Sequence, residues 1–162
     1  MILRPTAKLA KKLKTELLQN IDGKVTPFEE WYGHLFAANR HQLILFTHSY
    51  SLYSVLFPAK GINNLDLFAH SSAEFLREVM QLQGISYLCD RFIDKDFYRI
   101  KAYKTSNRGI IGSMNDMINQ VKYLSDDPDL SLAEMSIRIN KTPYSLIKYN
   151  YPLEIIKSMP LS

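Results

Sequence analysis

The spacing of apolar residues along the chain predicts both strands and helices. The opening segment MILR is typical of a short strand that ends at Pro5. Thr6 is placed to cap the next helix, which leucines at i, i+4 spacing extend to about Leu18. From Trp31 to about Phe46, two apolar runs separated by the letters ANRH predict an antiparallel pair of strands. The second run is apolar on both faces, which is typical of a central strand.

The remaining periodic segments predict more helices than strands. An apolar helical stripe covers residues 63–83 and stops at Gly84. DFYRIKAYK alternates like a strand, whereas SYSLYSVLF fits a strand or a short helix. Two capping-box spacings predict the starts of two further helices: Ser113 with Asp116, in a helix to about Leu124, and Ser131 with Glu134, in a helix to about Asn140. The proline-containing tail is predicted to be extended, with one or two short helical turns at most.

The order of these elements favours the α+β class, because strands and helices follow each other without a regular βαβ rhythm. We expect a single compact domain over residues 1–162, with a small, mainly antiparallel sheet and about four helices packed on it. A chain of 162 residues with 46% apolar residues is sufficient for a hydrophobic core. Neither a Gly/Ser-rich linker nor an internal repeat divides the sequence.

The sequence predicts a cytoplasmic protein without a membrane partner. Its longest apolar run, LILF, is far shorter than the roughly 18 residues that span a bilayer. Arg4 and Pro5 stand where a signal peptide needs an apolar stretch. Cys89 is the single cysteine, so an intrachain disulfide is impossible and a reducing compartment fits best.

The formal net charge of +4 is confined to the first 24 residues. Two acidic residues there are outnumbered by six basic ones: Arg4, Lys8, Lys11, Lys12, Lys14 and Lys24. Such a patch attracts nucleic acid or an acidic protein, although a solvated helix face has the same composition. A strand over DFYRIKAYK would place four basic and aromatic residues on one face: Phe97, Arg99, Lys101 and Tyr103. Such a face either stacks nucleic-acid bases or is a polar face in contact with water.

The segment SNRGIIGSMNDMI, residues 106–118, concentrates glycines and polar residues before a predicted helix. Capping explains Ser113 and Asp116. A buried helical stripe explains its apolar positions, namely Met114, Met117, Ile118 and then Val121. Three residues have no such explanation: Asn107, Arg108 and Asn115. They either brace the turn or belong to an anion site. In such a site Gly112 lets an anion approach the free N–H groups of the helix N-terminus, and the Arg108 guanidinium donates to its phosphate or carboxylate.

No metal site and no cofactor are predicted. Among the residues that ligate metals, His34, His41 and His48 recur at a spacing of seven that no ligand loop uses, and Cys89 lies elsewhere. The surrounding letters YLCDR lack the signature of a cysteine nucleophile.

Four segments together carry a family resemblance: MILRPTAKLAKKL, WYGHLFAANRHQLILFTHSYSLYSVL, NRGIIGSMNDM and SIRINKTPYSLIKYNYP. They resemble an uncharacterised bacterial family of small proteins, a domain of unknown function built around an N-R-x-x-x-G-S-M-N-D motif. The sequence differs at Gly109, where similar proteins often have a small polar residue. Other family-like positions are Thr6, Trp31, Tyr32, Arg40, Thr105 and Pro143. The resemblance implies a single domain of bacterial or mobile-element origin, and it implies no reaction.

The function expected from the sequence is a non-enzymatic binding or accessory protein that contacts another protein or nucleic acid. The first alternative is a small enzyme with a polar anion-binding site around Arg108 and Asp116, joined by Arg4, Arg40, Thr105 and Asn107, in which Asp116 is the acid/base or metal-holding group. The second is an antitoxin-like or structural interaction partner. The candidate binding residues are Arg4, Lys8, Arg40, Thr105, Asn107, Arg108, Ser113, Asn115 and Asp116. Enzymatic activity and oligomeric state stay open.

Overall fold

A five-stranded mixed sheet organises the computed structural model, which describes residues 1–21, 23–26 and 28–160. The strands are β1 (Ile2–Pro5), β2 (Glu30–Ala38), β3 (His41–His48), β4 (Ser54–Pro58) and β5 (Lys101–Ala102). The helices are α1 (Ala7–Leu13), α2 (Leu65–Leu82), α3 (Cys89–Phe92), α4 (Arg108–Leu124), α5 (Leu132–Asn140) and α6 (Pro152–Ser158). Short 3₁₀ turns cover Ser86–Leu88, Lys95–Tyr98 and Ser145–Ile147. No helix in these ranges is long and apolar enough to cross a membrane.

The strand order is β4-β3-β2-β1-β5. β2, β3 and β4 form an antiparallel meander, whereas β1 runs parallel to both β2 and β5. The α+β class is therefore confirmed. The expected mainly antiparallel sheet with about four helices is only roughly matched, because two of the four pairings between the described strands are parallel and six helices surround them. A helix follows β1 because a parallel return to β2 requires a crossover, which α1 provides.

Each face of the sheet has its own hydrophobic core. The first core packs Leu3, Trp31 and Phe46 against α1, α2 and α3, with the rings of Trp31 and Phe46 stacked at 4.3 Å between centroids. The second core packs the opposite face, including Tyr32 and Leu45, against α4 and α5. Because side chains alternate across a strand, β2, β3 and the edge strand β4 each supply residues to both cores.

The start of α4 differs from the sequence prediction. The helix begins at Arg108, and the Asn107 side chain caps it by accepting hydrogen bonds from the N–H groups of Gly109 (2.9 Å) and Ile110 (3.3 Å). The capping box predicted at Ser113 is therefore wrong, since Ser113 lies buried inside the helix. The N-cap is Asn107, which lies six residues before Ser113. Gly109 and Gly112 lie in the first turns of this helix and obscured its start in the sequence. The predicted apolar stripe of this helix is buried as expected: Met114, Met117, Ile118 and Val121.

The predicted strand DFYRIKAYK is also largely wrong. Asp94 accepts hydrogen bonds from the N–H groups of Asp96 and Phe97, both at 3.0 Å, and so fixes a 3₁₀ turn in place of extended chain. Only β5 remains extended. Phe97 and Tyr103 are buried, so their rings are not exposed on a face that could stack bases.

The other predicted elements are close to the observed ones, with shorter ends. Thr6 occupies the N-cap of α1 without a capping hydrogen bond, and the helix ends at Leu13, where Lys14 adopts a left-handed conformation. The capping box of Ser131 with Glu134 is confirmed at α5. The segment that fitted either a strand or a short helix contains β4. The tail carries α6, whose 7 residues make about two turns and so match the upper limit predicted, with Pro152 tolerated at its first position.

Candidate functional site

Arg4 and Asn107 belong to a polar network that holds the chain before α4. The Arg4 guanidinium donates to the Glu30 carboxylate at 2.6 Å and to the Lys104 carbonyl oxygen at 2.5 Å. The Asn107 N–H donates to the Tyr32 hydroxyl at 3.2 Å, and that hydroxyl also contacts Ser106 Oγ at 3.4 Å. These bonds connect β1 and β2 to the approach of α4. Both residues therefore have a bracing role in the fold.

The other candidates near α4 lie in different environments. Thr105 and Arg108 are exposed, and their side chains make no hydrogen bond or ion pair with the residues that the structure describes. Asp116 and Ser113 line a shallow depression of about 380 Å³ between α4 and the 3₁₀ turn Ser145–Ile147. Arg108 does not line that depression. Among the described residues that line the depression there is no arginine that could clamp an anion next to Asp116. The role of Asp116 as an acid/base stays a prediction.

Asn115 lies on α4 beside His34 of β2. Burial lowers the pKa of His34, and the nearby charges of Lys8 and Lys122 lower it further. Hydrogen bonds with the Leu35 carbonyl and with the Asn115 side chain act in the opposite direction. The fold therefore places two separate candidates from the sequence, Lys8 and Asn115, near the half-buried imidazole of His34.

The six residues of the hypothetical polar site do not converge. Arg4 and Asn107 lie in the network with Glu30, and Asp116 lies in the depression along α4. Arg40 lies at the turn between β2 and β3, where it lines a different and larger cavity.

This larger cavity, which we name the hairpin groove, has a volume of about 850 Å³. It lies between the β2–β3 turn, the end of α1, the end of β4 and the loop that joins α4 to α5. Its apolar lining is formed by Ala38, Leu43, Pro58, Leu130, Leu132 and Met135. Its basic lining is formed by Lys12, Arg40, His41 and Lys60. A concave apolar surface with a few polar groups at its rim is typical of a binding site.

The turn that presents Arg40 to the groove has an unfavourable backbone conformation. Asn39 and Arg40 connect paired residues Ala38 and His41, and both have positive φ, at 48° and 67°. A two-residue turn of this kind favours Asn-Gly, so arginine at the second position is strained. The Asn39 side chain donates to the Ser125 carbonyl oxygen at 3.3 Å and so connects the turn to the end of α4.

Positive charge predominates around the hairpin groove. Within the described part of the chain, Lys12, Arg40 and Lys60 form no ion pair. One acid, Asp127, also lines the groove, and its carboxylate accepts a hydrogen bond from the Asp129 N–H at 2.9 Å. The basic side chains are therefore available to an acidic ligand.

Nearly the whole chain matches one protein family. The family model described as a domain of unknown function, DUF6933, matches residues 2–155. The chain belongs to the DUF6933 family. The match extends from β1 into α6 and confirms the resemblance to a domain of unknown function, whereas the motif and the bacterial origin stay predictions. Among proteins with curated descriptions, none gives a significant match.

The histidines and the cysteine of this DUF6933 member are dispersed. In the ranges that the structure describes, no group of three or more His, Cys, Asp or Glu residues could hold a metal ion. His48 is buried, with Nδ1 2.9 Å from Ser51 Oγ, whereas His41 lies at the groove. Cys89 contacts the Met80 sulfur at 3.8 Å, and burial raises the pKa of its thiol, which disfavours the reactive thiolate.

Sequence reasoning found one residue of the hairpin groove and missed the others. Arg40 was named, but Lys12 was counted only within the N-terminal charge excess and Lys60 was not considered. In this DUF6933 structure the groove is formed by residues of α1, β2, β3, β4 and α5 and of the loops between elements, so no local spacing marks it. The local signal in the sequence is the ANRH turn. Its asparagine indicates a tight hairpin, and the next residue, Arg40, projects outward from such a turn.

Proposed function

We propose that this DUF6933 member is a non-enzymatic binding protein that holds an acidic, amphipathic segment of a partner protein in its hairpin groove. The observation that carries the proposal is the combination of an apolar floor with basic groups from separate elements. Amphipathic segments bind in grooves by burying their apolar face, and complementary charges at the rim select the partner and orient it.

The floor of the groove is continuous with the second core. Ala38, Leu43 and Met135 are nearly fully buried members of that core, and Leu130 and Leu132 pack against it. Apolar side chains of a partner would therefore contact a surface that the fold already holds rigid. Preorganisation of this kind lowers the entropic cost of association.

The rim connects the groove to the charge excess of the N-terminus. Lys12 lies in the last turn of α1, and Lys8 and Lys11 are exposed on the same helix. Carboxylates on a partner can therefore approach along α1 and end at Arg40, whose planar guanidinium accommodates a carboxylate with two hydrogen bonds. Asp127, the one acid among the described residues that line the groove, reduces this positive field without reversing it.

The strain at Arg40 supports a role beyond folding. A left-handed arginine costs free energy that glycine would avoid, and strained positions cluster at functional sites. No aromatic residue lines the groove among the described residues, and the rings of Phe97 and Tyr103 are buried. Single-stranded nucleic acid is usually held by stacking on aromatic side chains, so the chemistry favours a protein partner.

The test uses a synthetic helical peptide with leucines on one face and glutamates on the other. Its binding is measured by fluorescence anisotropy at low and at physiological ionic strength. We expect Lys12→Glu/Arg40→Glu/Lys60→Glu to weaken binding about tenfold or more, or about 1.4 kcal/mol. The matched control reverses three exposed cations elsewhere, Arg77→Glu/Lys95→Glu/Lys148→Glu, and should bind like the wild type.

Three results would overturn the proposal. The first is equal weakening by the groove variant and the control variant, which would indicate a general charge effect. The second is tight binding of DNA or RNA oligonucleotides through the groove with no binding of the peptide. The third is self-association that the groove variant abolishes, because a second copy of the chain would then be the occupant.

A further inference from the structure

A second cavity, which we name the arginine pocket, lies between the start of β1, α3 and the 3₁₀ turn Lys95–Tyr98. Its volume is about 410 Å³. Its aromatic walls are Phe28, Phe92, Phe97 and Tyr103. Its acidic side chains are Glu29, Asp94 and Asp96, and its basic side chains include Arg91 and Arg99. This size is suitable for a small organic molecule.

Arg91 is the unusual residue of this pocket. Its guanidinium carbon lies 3.6 Å from the centroid of the Phe28 ring, so the two planar groups are in contact. Its Nε atom is buried and has no hydrogen-bond partner in the described part of the chain. The side chain forms no ion pair with any residue in the described ranges. Burial of the Nε–H group is unfavourable here, because among the described residues it has exchanged water for the face of an aromatic ring alone, while the rest of the half-buried side chain reaches the pocket surface.

The acids that line the pocket are already engaged. The Asp94 carboxylate accepts the N–H groups of Asp96 and Phe97 as the cap of the 3₁₀ turn. Asp96 is 3.7 Å from the Arg99 guanidinium, in an exposed ion pair. Glu29 accepts the Thr26 N–H at 3.5 Å. Among the residues that the structure describes, the pocket therefore offers Arg91 no carboxylate that pairs with it.

We infer that the arginine pocket binds a small organic anion that carries a carboxylate or phosphate group on a ring-shaped or otherwise apolar body. The forked donors of Arg91 fit both anionic groups, and Phe28 holds the guanidinium plane in position. The half-buried side chains of Ile2 and Ile21 supply apolar surface for the body of the ligand, above the buried rings of Phe92 and Tyr103. The inference does not depend on the hairpin groove, since the two cavities share no lining residue.

The binding test titrates the protein with benzoate, adenosine monophosphate and inorganic phosphate, each followed by isothermal calorimetry and by amide chemical shifts. We expect benzoate or adenosine monophosphate to bind, and Arg91→Met to weaken that binding about tenfold or more. The control Arg77→Met, on the exposed surface of α2, should bind like the wild type. Benzoate binding would indicate a carboxylate ligand, whereas adenosine monophosphate binding would indicate a phosphate ligand.

Several results would overturn the inference: no binding of either organic probe, binding that Arg91→Met leaves unchanged, or inorganic phosphate bound as tightly as both organic probes. A structural role for Arg91 is tested separately by thermal unfolding. Because methionine keeps the apolar contact with Phe28 and removes the unpartnered Nε, the melting temperature of Arg91→Met should stay within about 4 °C of wild type. A larger drop would make Arg91 a fold residue and contradict a ligand site. Phe28→Leu, which keeps the charge, should also weaken probe binding.

Discussion

At the scale of single residues, Arg40 has a conformation that its side chain does not favour. The turn between β2 and β3 has space for two residues, both with positive φ, and Asn39 tolerates this because asparagine visits the left-handed region readily. Arginine does so at a greater cost. No hydrogen bond or ion pair of the Arg40 side chain with another described residue offsets that cost. Arg40 is thus a residue at which stability and function are expected to conflict.

Arg40→Gly should stabilise the fold and weaken the proposed peptide binding. Glycine removes the left-handed strain, and part of this gain is lost to the greater freedom of the unfolded chain, which leaves about 0.5–1 kcal/mol. Chemical denaturation measures the free energy of unfolding, and the acidic peptide measures binding. Arg40→Lys is the control, since it keeps both charge and strain. A destabilised Arg40→Gly variant would contradict this account of the turn.

The residues at the start of α4 were only partly predictable from the sequence. Asn107 was identified as unexplained by packing, and the structure places it at the cap of α4 and in hydrogen-bond contact with Tyr32. The nearest capping pattern, Ser113 with Asp116, was misleading because any serine followed by an acid three residues later satisfies it. Burial of Ser113 depends on contacts with the sheet, which a local spacing does not contain.

At the scale of elements, α5 closes the outer edge of the sheet with side chains. Asn140 accepts the Ser54 N–H at 2.8 Å and donates to the Ser54 carbonyl oxygen at 2.9 Å, as a neighbouring strand would do. Ser136 accepts the Leu56 N–H at 3.0 Å. The exposed hydrogen-bonding groups of an edge strand favour pairing with other chains, so this cover protects β4.

Asn140→Ala should destabilise the protein by about 2–4 kcal/mol, because it leaves a buried N–H and a buried C=O of Ser54 without partners. Thermal and urea unfolding measure the loss. Asn119→Ala is the matched control, since Asn119 is exposed on α4 and its removal should change stability by less than about 0.5 kcal/mol. An Asn140→Ala variant as stable as the control would show that water or a backbone shift replaces the amide.

Elements were predicted best where local pattern and tertiary contacts agree. The antiparallel pair β2–β3, the long helix α2 and the capped helix α5 follow from apolar periodicity, turn residues and a capping box. The parallel pairings of β1 were not predicted, because partners such as Glu30 for Ile2 in β2 and Lys101 for Ile2 in β5 are too distant in sequence to leave a signal in a local window.

At the scale of the whole molecule, the two cores are mechanically joined because the central strands contribute to both. Trp31 faces the first core and its neighbour Tyr32 faces the second. A loss of packing on one side should therefore be transmitted to the other through the shared backbone. This arrangement favours a single cooperative unfolding transition.

Val121→Ala tests the coupling of the cores. Val121 is fully buried in the second core, and its truncation should cost about 1–3 kcal/mol. The fluorescence of Trp31, the only tryptophan, reports the first core. In Val121→Ala, the unfolding midpoint measured by this fluorescence should fall by as much as the midpoint measured by far-ultraviolet circular dichroism. Val79→Ala, in the first core, is the reciprocal variant. An unchanged fluorescence midpoint in Val121→Ala would indicate that the cores unfold separately.

The pairing of β1 with β5 has a consequence for synthesis on the ribosome. Ile2 and Lys101 lie about 100 residues apart in sequence, although they are neighbours in the sheet. At about 5–20 residues per second, the ribosome needs about 5–20 s to add the strand that completes this edge. During that interval β1 can dock on β2 alone, with its other side uncovered. A protein released with a stalled or truncated C-terminal half should consequently be prone to aggregation, and chaperones are expected to act on the nascent chain in that window.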